Sequence, residues 1–153
     1  MRIRTRLVAV TILGIMVCWP AHGQTATLRA ERELFASVNQ ARLAQGLPPL
    51  RWDESLAKAA RRHAEAMAEH GSAQHGFDGE PSLSARVKQA GAHFSWLSEN
   101  VTQGPSPQFI HTQFMKSPHH RANILDRDMD SIGVGVVEQG GQLFAVEDLS
   151  QAR

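Results

Sequence analysis

Three ionisable side chains fall at loop or helix-start positions rather than within helical stripes. They are His75 in the Gly- and Ser-rich stretch 72–81, Glu99 in Leu97-Ser98-Glu99-Asn100-Val101, and His120 two residues after Pro118. Imidazole nitrogen and carboxylate oxygen ligate divalent metals and exchange protons near neutral pH. The one cysteine, Cys18, lies in an apolar N-terminal run, so the rest of the chain has no thiolate nucleophile or thiolate ligand, and a metal would have to sit on His, Asp or Glu. The sequence contains no His-Glu-x-x-His, Gly-x-Ser-x-Gly, phosphate-cradling glycine loop or Cys-x-x-Cys. Any chemistry must therefore be assembled from distant segments.

The elements that would position these residues follow from periodicity and stop signals. Residues 28–45 carry Leu34, Val38 and Ala41 at helical spacing before Gly46 and Pro48-Pro49, which predicts a first amphipathic helix. Asp53 is an N-cap for a second helix running to about His70, with Gly71 as its stop and a face of small alanines that implies close packing. Residues 72–81 read as a loop, and Leu83, Val87 and Ala90 as a short helix ended by Gly91. Residues 94–102 fit a short strand or an extended segment closed by Gln103-Gly104-Pro105. Ser106-Pro107 then starts a helix over 108–116, and Ser117-Pro118 repeats that start signal. Residues 131–138 and 142–149 flank Gly140-Gly141, which predicts a C-terminal antiparallel hairpin. Helices first and strands later give an α+β class, with helices flanking a small antiparallel sheet.

The 153 residues, 42% hydrophobic and 20% charged, set the limit at one core. Arg2, Arg4 and Arg6 before the apolar run 7–19 and Ala21-His22-Gly23 read as a secretory signal peptide over 1–23. Its apolar stretch is too short for a stable membrane span. A lipid on Cys18 is disfavoured, because bulky Val17 precedes it. Removing the leader takes three arginines from the 16 basic residues and leaves 13 against 15 acidic, a net charge of −2. Nucleic acid is not an expected partner, because no cluster of Lys and Arg beyond Arg61-Arg62 remains. The expected location is secreted or periplasmic.

Several stretches together resemble a known superfamily. Leu34-x3-Val38-Asn39-x2-Arg42-x3-Gly46-Leu47-x2-Leu50-x-Trp52-Asp53, then Ser98-Glu99-Asn100-Val101, then Ser117-Pro118-His119-His120-Arg121-Ala122-Asn123-Ile124-Leu125 before Ile132-Gly133-Val134-Gly135, are similar to a bacterial CAP (SCP-like) domain. That is the secreted superfamily of cysteine-rich secretory, antigen 5 and pathogenesis-related proteins. The resemblance covers residues 31–149 of one domain at 24–153, and it implies an α-β-α sandwich. It also implies a cleft of two histidines and two acidic residues in which some members hold zinc or another divalent cation. Matched by motif, His75 and His120 are the metal-site histidines and Glu99 is an acidic corner. The second acid is absent: Ser117 stands three residues after Phe114, where animal and plant members carry Glu after a Trp. Three protein ligands would leave an open water position on zinc. Glu99 would ligate directly, stand behind a ligand, or act as a general base. His120, near a helix N-terminus, would stay neutral.

Each residue also has a structural reading. His75 fits a polar loop residue, His63 a hydrogen-bonded core histidine, and His119 the solvent-facing neighbour of His120. Glu99, Asn100, Arg121 and Asn123 fit residues that tie turns together, and Trp96 fits core packing. Three functions follow: a secreted binding module for a metal, a small apolar ligand or a peptide; a zinc-assisted extracellular hydrolase with Glu99 as base; or a metal-free structural protein of the envelope.

Overall fold

Helix ends follow the stop signals closely, while the first helix begins at Ala21, ahead of the expected Leu28, and the strand expected over 94–102 runs on through Gly104. The computed structural model describes residues 21–152, so residues 1–20 of the expected leader lie outside the described residues. Ala21-His22-Gly23 open helix α1 (Ala21–Ala44). Gly46, at φ 70°, ends the chain's helical course. Helix α2 (Glu54–His70) starts where Asp53 accepts from the amides of Ser55 and Leu56 and stops at left-handed Gly71. Helix α3 (Leu83–Ala90) stops at Gly91 in the same way. Strand β2 (Phe94–Gly104) leads to α4 (Pro107–Lys116) and α5 (Pro118–Ile124), whose Ser106 and Ser117 side chains cap the first turns. Strands β3 (Ser131–Gln139) and β4 (Gln142–Ala152) form the hairpin, with positive φ at both Gly140 and Gly141.

The expected sheet needs one correction. A two-residue strand, β1 (Arg51–Trp52), adds to β3 in parallel, so the sheet is mixed, in the order β1-β3-β4-β2. Two residues carry no period, and the pairing is imposed by the tertiary frame: Arg51 and Asp53 amides donate to the carbonyls of Asp130 and Ile132.

Helices cover both faces. Leu34 and Val38 of α1, Ile110 and Phe114 of α4 and Ile124 of α5 pack on Ile132, Val134, Val136, Ala145 and Leu149. On the other face α2 covers Val101, Phe144 and Val146, and α3 packs against α2 and the start of β2 at Phe94 and Leu97. The alanine face of α2 does pack closely. A Cβ on Gly133 would lie 2.0 Å from the Ala57 nitrogen, and one on Gly135 would lie 2.2 Å from the Arg61 nitrogen. The helix backbone thus rests on the strand backbone, a contact only glycine permits.

Past β1 the outer rim of β3 is guarded by side chains. Glu31, buried on α1, accepts from the Val136 amide at 3.4 Å and forms a two-bond pair with Arg61 of α2 at 2.8 and 2.9 Å. Arg42, fully buried near the end of α1, donates to the carbonyls of Pro48, Ile124, Asp126 and Met129 at 2.7–3.1 Å. It joins α1 to the far end of α5.

Candidate functional site

Strand alternation decides what each residue of Ser98-Glu99-Asn100-Val101 can reach. Glu99 faces the α2–α3 layer and Asn100 the α4–α5 layer, at the free edge of the sheet formed by β2. The loop between α2 and α3 brings His75 to Glu99 from one side, and α5 brings His120 from the other.

Glu99 is buried, and both of its oxygens are engaged. Oε1 accepts from His75 Nδ1 at 2.9 Å, and Oε2 takes a short ion pair from Arg86 Nη2. The Nδ1–H of His75 is thereby committed, which leaves Nε2 as the ligating or accepting nitrogen of an imidazole whose side chain is 58% exposed. The bond to Glu99 raises the affinity of His75 for a proton, with burial and Arg86 opposing. His120, half-buried, stacks edge-on to Phe114 with ring centroids 5.2 Å apart, and its amide donates to Ser117 Oγ at 3.4 Å. Burial lowers its proton affinity first, followed by the charges of His75 and His119. It is inclined to the neutral form, as expected from its position, but desolvation and two neighbouring imidazoles are the causes. His119 is exposed, as its solvent-facing reading requires.

His63 is the core histidine the sequence suggested. It is fully buried, with Nε2 donating to the Gln74 carbonyl at 2.9 Å and Nδ1 2.6 Å from Glu80 Oε1. Neither nitrogen is free for a metal. The two bonds hold both ends of the loop that carries His75, and Arg86 adds a bond to the Pro81 carbonyl at 3.1 Å. Asn100 and Asn123 tie the cleft together, as read, whereas Arg121 is exposed. Trp96 is not core: its side of the β2 edge leaves it 62% exposed.

Four participants were missed in the sequence: Glu80, Arg86, Glu147 and Asp148. Asp148 is fully buried opposite Glu99 on β4, and burial together with the Glu99 charge raises its proton affinity while Arg86 opposes. The available signal was the pair Glu147-Asp148 in the middle of an apolar strand.

Among the described residues no group of three or more His, Cys, Asp or Glu side chains is arranged to hold an ion. The imidazole donors on the two sides of the cleft are His75, through Nε2, and His120, and Glu99 orients the His75 ring through Nδ1. Ser117 takes no part as an acid; it caps α5. A separate groove of about 470 Å³, lined by Phe35, Trp52, Glu54 and Arg61 among others, lies at the opposite edge of the sheet. No helix of the described residues is long and apolar enough to cross a membrane.

Residues 35–149 match the cysteine-rich secretory protein family, CAP. YkwD of Bacillus subtilis is 33% identical over 111 residues, which are 72% of this chain and 43% of YkwD. The chain thus spans less than half of that relative. An extracellular protein of Bacillus anthracis containing an SCP domain superposes with a TM-score of 0.80 at 22% identity, covering 87% of this chain and 44% of that one. A structure of NaASP2 with Zn2+ superposes at 0.54 with 11% identity, covering 88% and 84%.

Proposed function

The chain belongs to the CAP family, and from that premise we propose that it is a secreted recognition module whose His75–His120 cleft holds a divalent cation, zinc in the first instance, and presents it to a peptide or small apolar partner without turnover. The observation that carries this reading is the commitment of Glu99. With one oxygen on Arg86 and the other on His75, the acid best placed to activate water is engaged as an anchor. A bound divalent ion would supply a Lewis-acidic contact for a partner's donor atom. Around it, Glu99 fixes the ring of His75, and burial keeps His120 unprotonated. The presence of Zn2+ in the NaASP2 structure supports the choice of metal. The N-terminal leader pattern, and the extracellular description of the Bacillus anthracis relative, support export.

Calorimetric titration of zinc at pH 7.5 tests the reading. The wild type should bind about one ion and the His75→Ala/His120→Ala variant none. Glu99→Gln should bind roughly 10- to 100-fold more weakly, as for loss of an outer-sphere partner. Absence of binding to the wild type would refute the metal site. A chelator-sensitive hydrolysis abolished by Glu99→Gln would replace the binding module with the hydrolase.

A further inference from the structure

Behind the His120 side of the cleft the sheet carries an acid that the chemistry above does not use. On β4, Val146, Glu147, Asp148 and Leu149 are all buried, and alternation sends Asp148 toward Glu99 while Glu147 points to the opposite face, beneath α5. The cross-strand neighbours of Glu147 are Asn100 on β2 and Val134 on β3. Its Oε2 accepts from Asn100 Nδ2 at 3.1 Å, and the same amide nitrogen donates to the His120 carbonyl at 3.2 Å. The Asn100 oxygen accepts from Asn123 Nδ2 at 2.9 Å. One side-chain amide therefore ties two residues of α5 to one acid of the sheet. Glu147 Oε1 is buried with no hydrogen-bond partner.

We propose that Glu147 is a positioning residue for His120: while its carboxyl is neutral the Asn100–Glu147 pair stays dry and α5 stays seated on the sheet, and ionisation, which the Asn100 amide alone cannot compensate, draws water in and unseats α5. The inference adds regulation to the cleft proposed above and rests on that reading for its biological meaning. Its physical basis is separate. An ionised Glu147 would meet a single donor, Asn100, and apolar neighbours such as Val134, so water must reach it. The seven-residue α5 is too short to be stable by itself; its far end is held by the buried Ile124 and by Arg42, and its first turn, at His120, by the Asn100 tie, which makes that turn the part that gives way. Burial keeps the Glu147 carboxyl neutral up to about pH 8, against the Asn100 bond. The titratable and charged groups on the elements packed against this face are His119, His120 and Arg121 of α5, His111 and Lys116 of α4, and, among the residues of α1 from Thr25 on, Arg29, Glu31, Arg32, Glu33 and Arg42. On β2 the residues facing this side are uncharged, and on β3 the charge on this side is Glu138, exposed at the far end of the strand.

Metal-free protein tests this, so that failure of zinc to bind leaves the result readable. The His120 imidazole is followed by NMR from pH 5 to 9.5 in a His75→Ala background, which removes the neighbouring titration. With Glu147 intact, His120 should show a second inflection near pH 8, and Glu147→Gln, which keeps an acceptor for Asn100, should abolish it. In the wild type alone, the protection of the Arg121 and Leu125 amides, corrected for intrinsic exchange, should fall roughly tenfold or more between pH 6.5 and 9, while α2 amides stay unchanged. Identical His120 titrations with and without the Glu147→Gln substitution, or protection that changes equally in α2 and α5, would overturn the proposal.

Discussion

Replacing Arg42 by methionine keeps the apolar stem of the side chain while removing every donor of the guanidinium. Four carbonyls, of Pro48, Ile124, Asp126 and Met129, lose the partner they share. A hydrogen bond from a charged donor contributes about 1.5–3 kcal/mol, and a buried group left unpaired costs about 1–3 kcal/mol. The four bonds are made by one group and do not add, so half of their lower-bound sum, about 3 kcal/mol, is the least loss expected, and about 6 kcal/mol the most. Burial already disfavours the charge on Arg42, and removing that charge recovers part of the loss, which places the expectation at about 4 kcal/mol. Urea unfolding followed by circular dichroism reads this directly. With a slope of about 2 kcal/mol per molar, the midpoint should fall by roughly 2 M. Because Ile124 and Asp126 bracket the end of α5, the His120 resonance should broaden or shift well before global unfolding. A midpoint shift under about 0.5 M, corresponding to about 1 kcal/mol, would refute the assignment of Arg42 as the joint between α1 and α5.

Other consequences are equally direct. Gly133→Ala places a methyl group against the Ala57 and Leu56 backbone and should cost about 3 kcal/mol, or roughly 10 °C in a calorimetric scan. The Glu147 carboxyl binds its proton more tightly folded than unfolded, so stability is intact below the ordinary carboxyl value of 4.5 and is lost as pH rises toward about 8. The difference, 8 − 4.5, corresponds to up to about 5 kcal/mol, and the stability of Glu147→Gln relative to wild type should climb over that window in pH-dependent melts. Zinc affinity at the cleft should strengthen as pH rises through the value at which His75 loses its proton, which lies above 6.5, and Glu99→Gln should move that rise to lower pH in calorimetry.

Legibility in the sequence followed the range of the interaction. The second helix could be bounded because Asp53 and Gly71 act on amides and carbonyls a few residues away. The hairpin could be read because Gly140 and Gly141 both supply positive φ. His75, Glu99 and His120 stand out as ionisable residues in irregular or helix-start positions, and the structure brings the first two into contact. The Arg86 bond to Glu99 spans two layers, and on its own helix Arg86 lies beside Val87 with nothing local to mark it as buried. The short β1 exists because the chain passes β3, not because Arg51-Trp52 favours a strand. Trp96 looked like core by residue type, yet its place on the edge strand leaves it outside.

The guard over β3 bears on how copies of this protein behave toward one another. A bare strand edge invites another strand, and β1 shields only the positions opposite Ser131 and Ile132. Glu31, lying against the Val136 amide and clamped by Arg61, occupies the place where an intruding backbone would bond. The same carboxylate that spans two helices thus closes this stretch of β3 to strand pairing by a second copy, at a place well removed from the histidines.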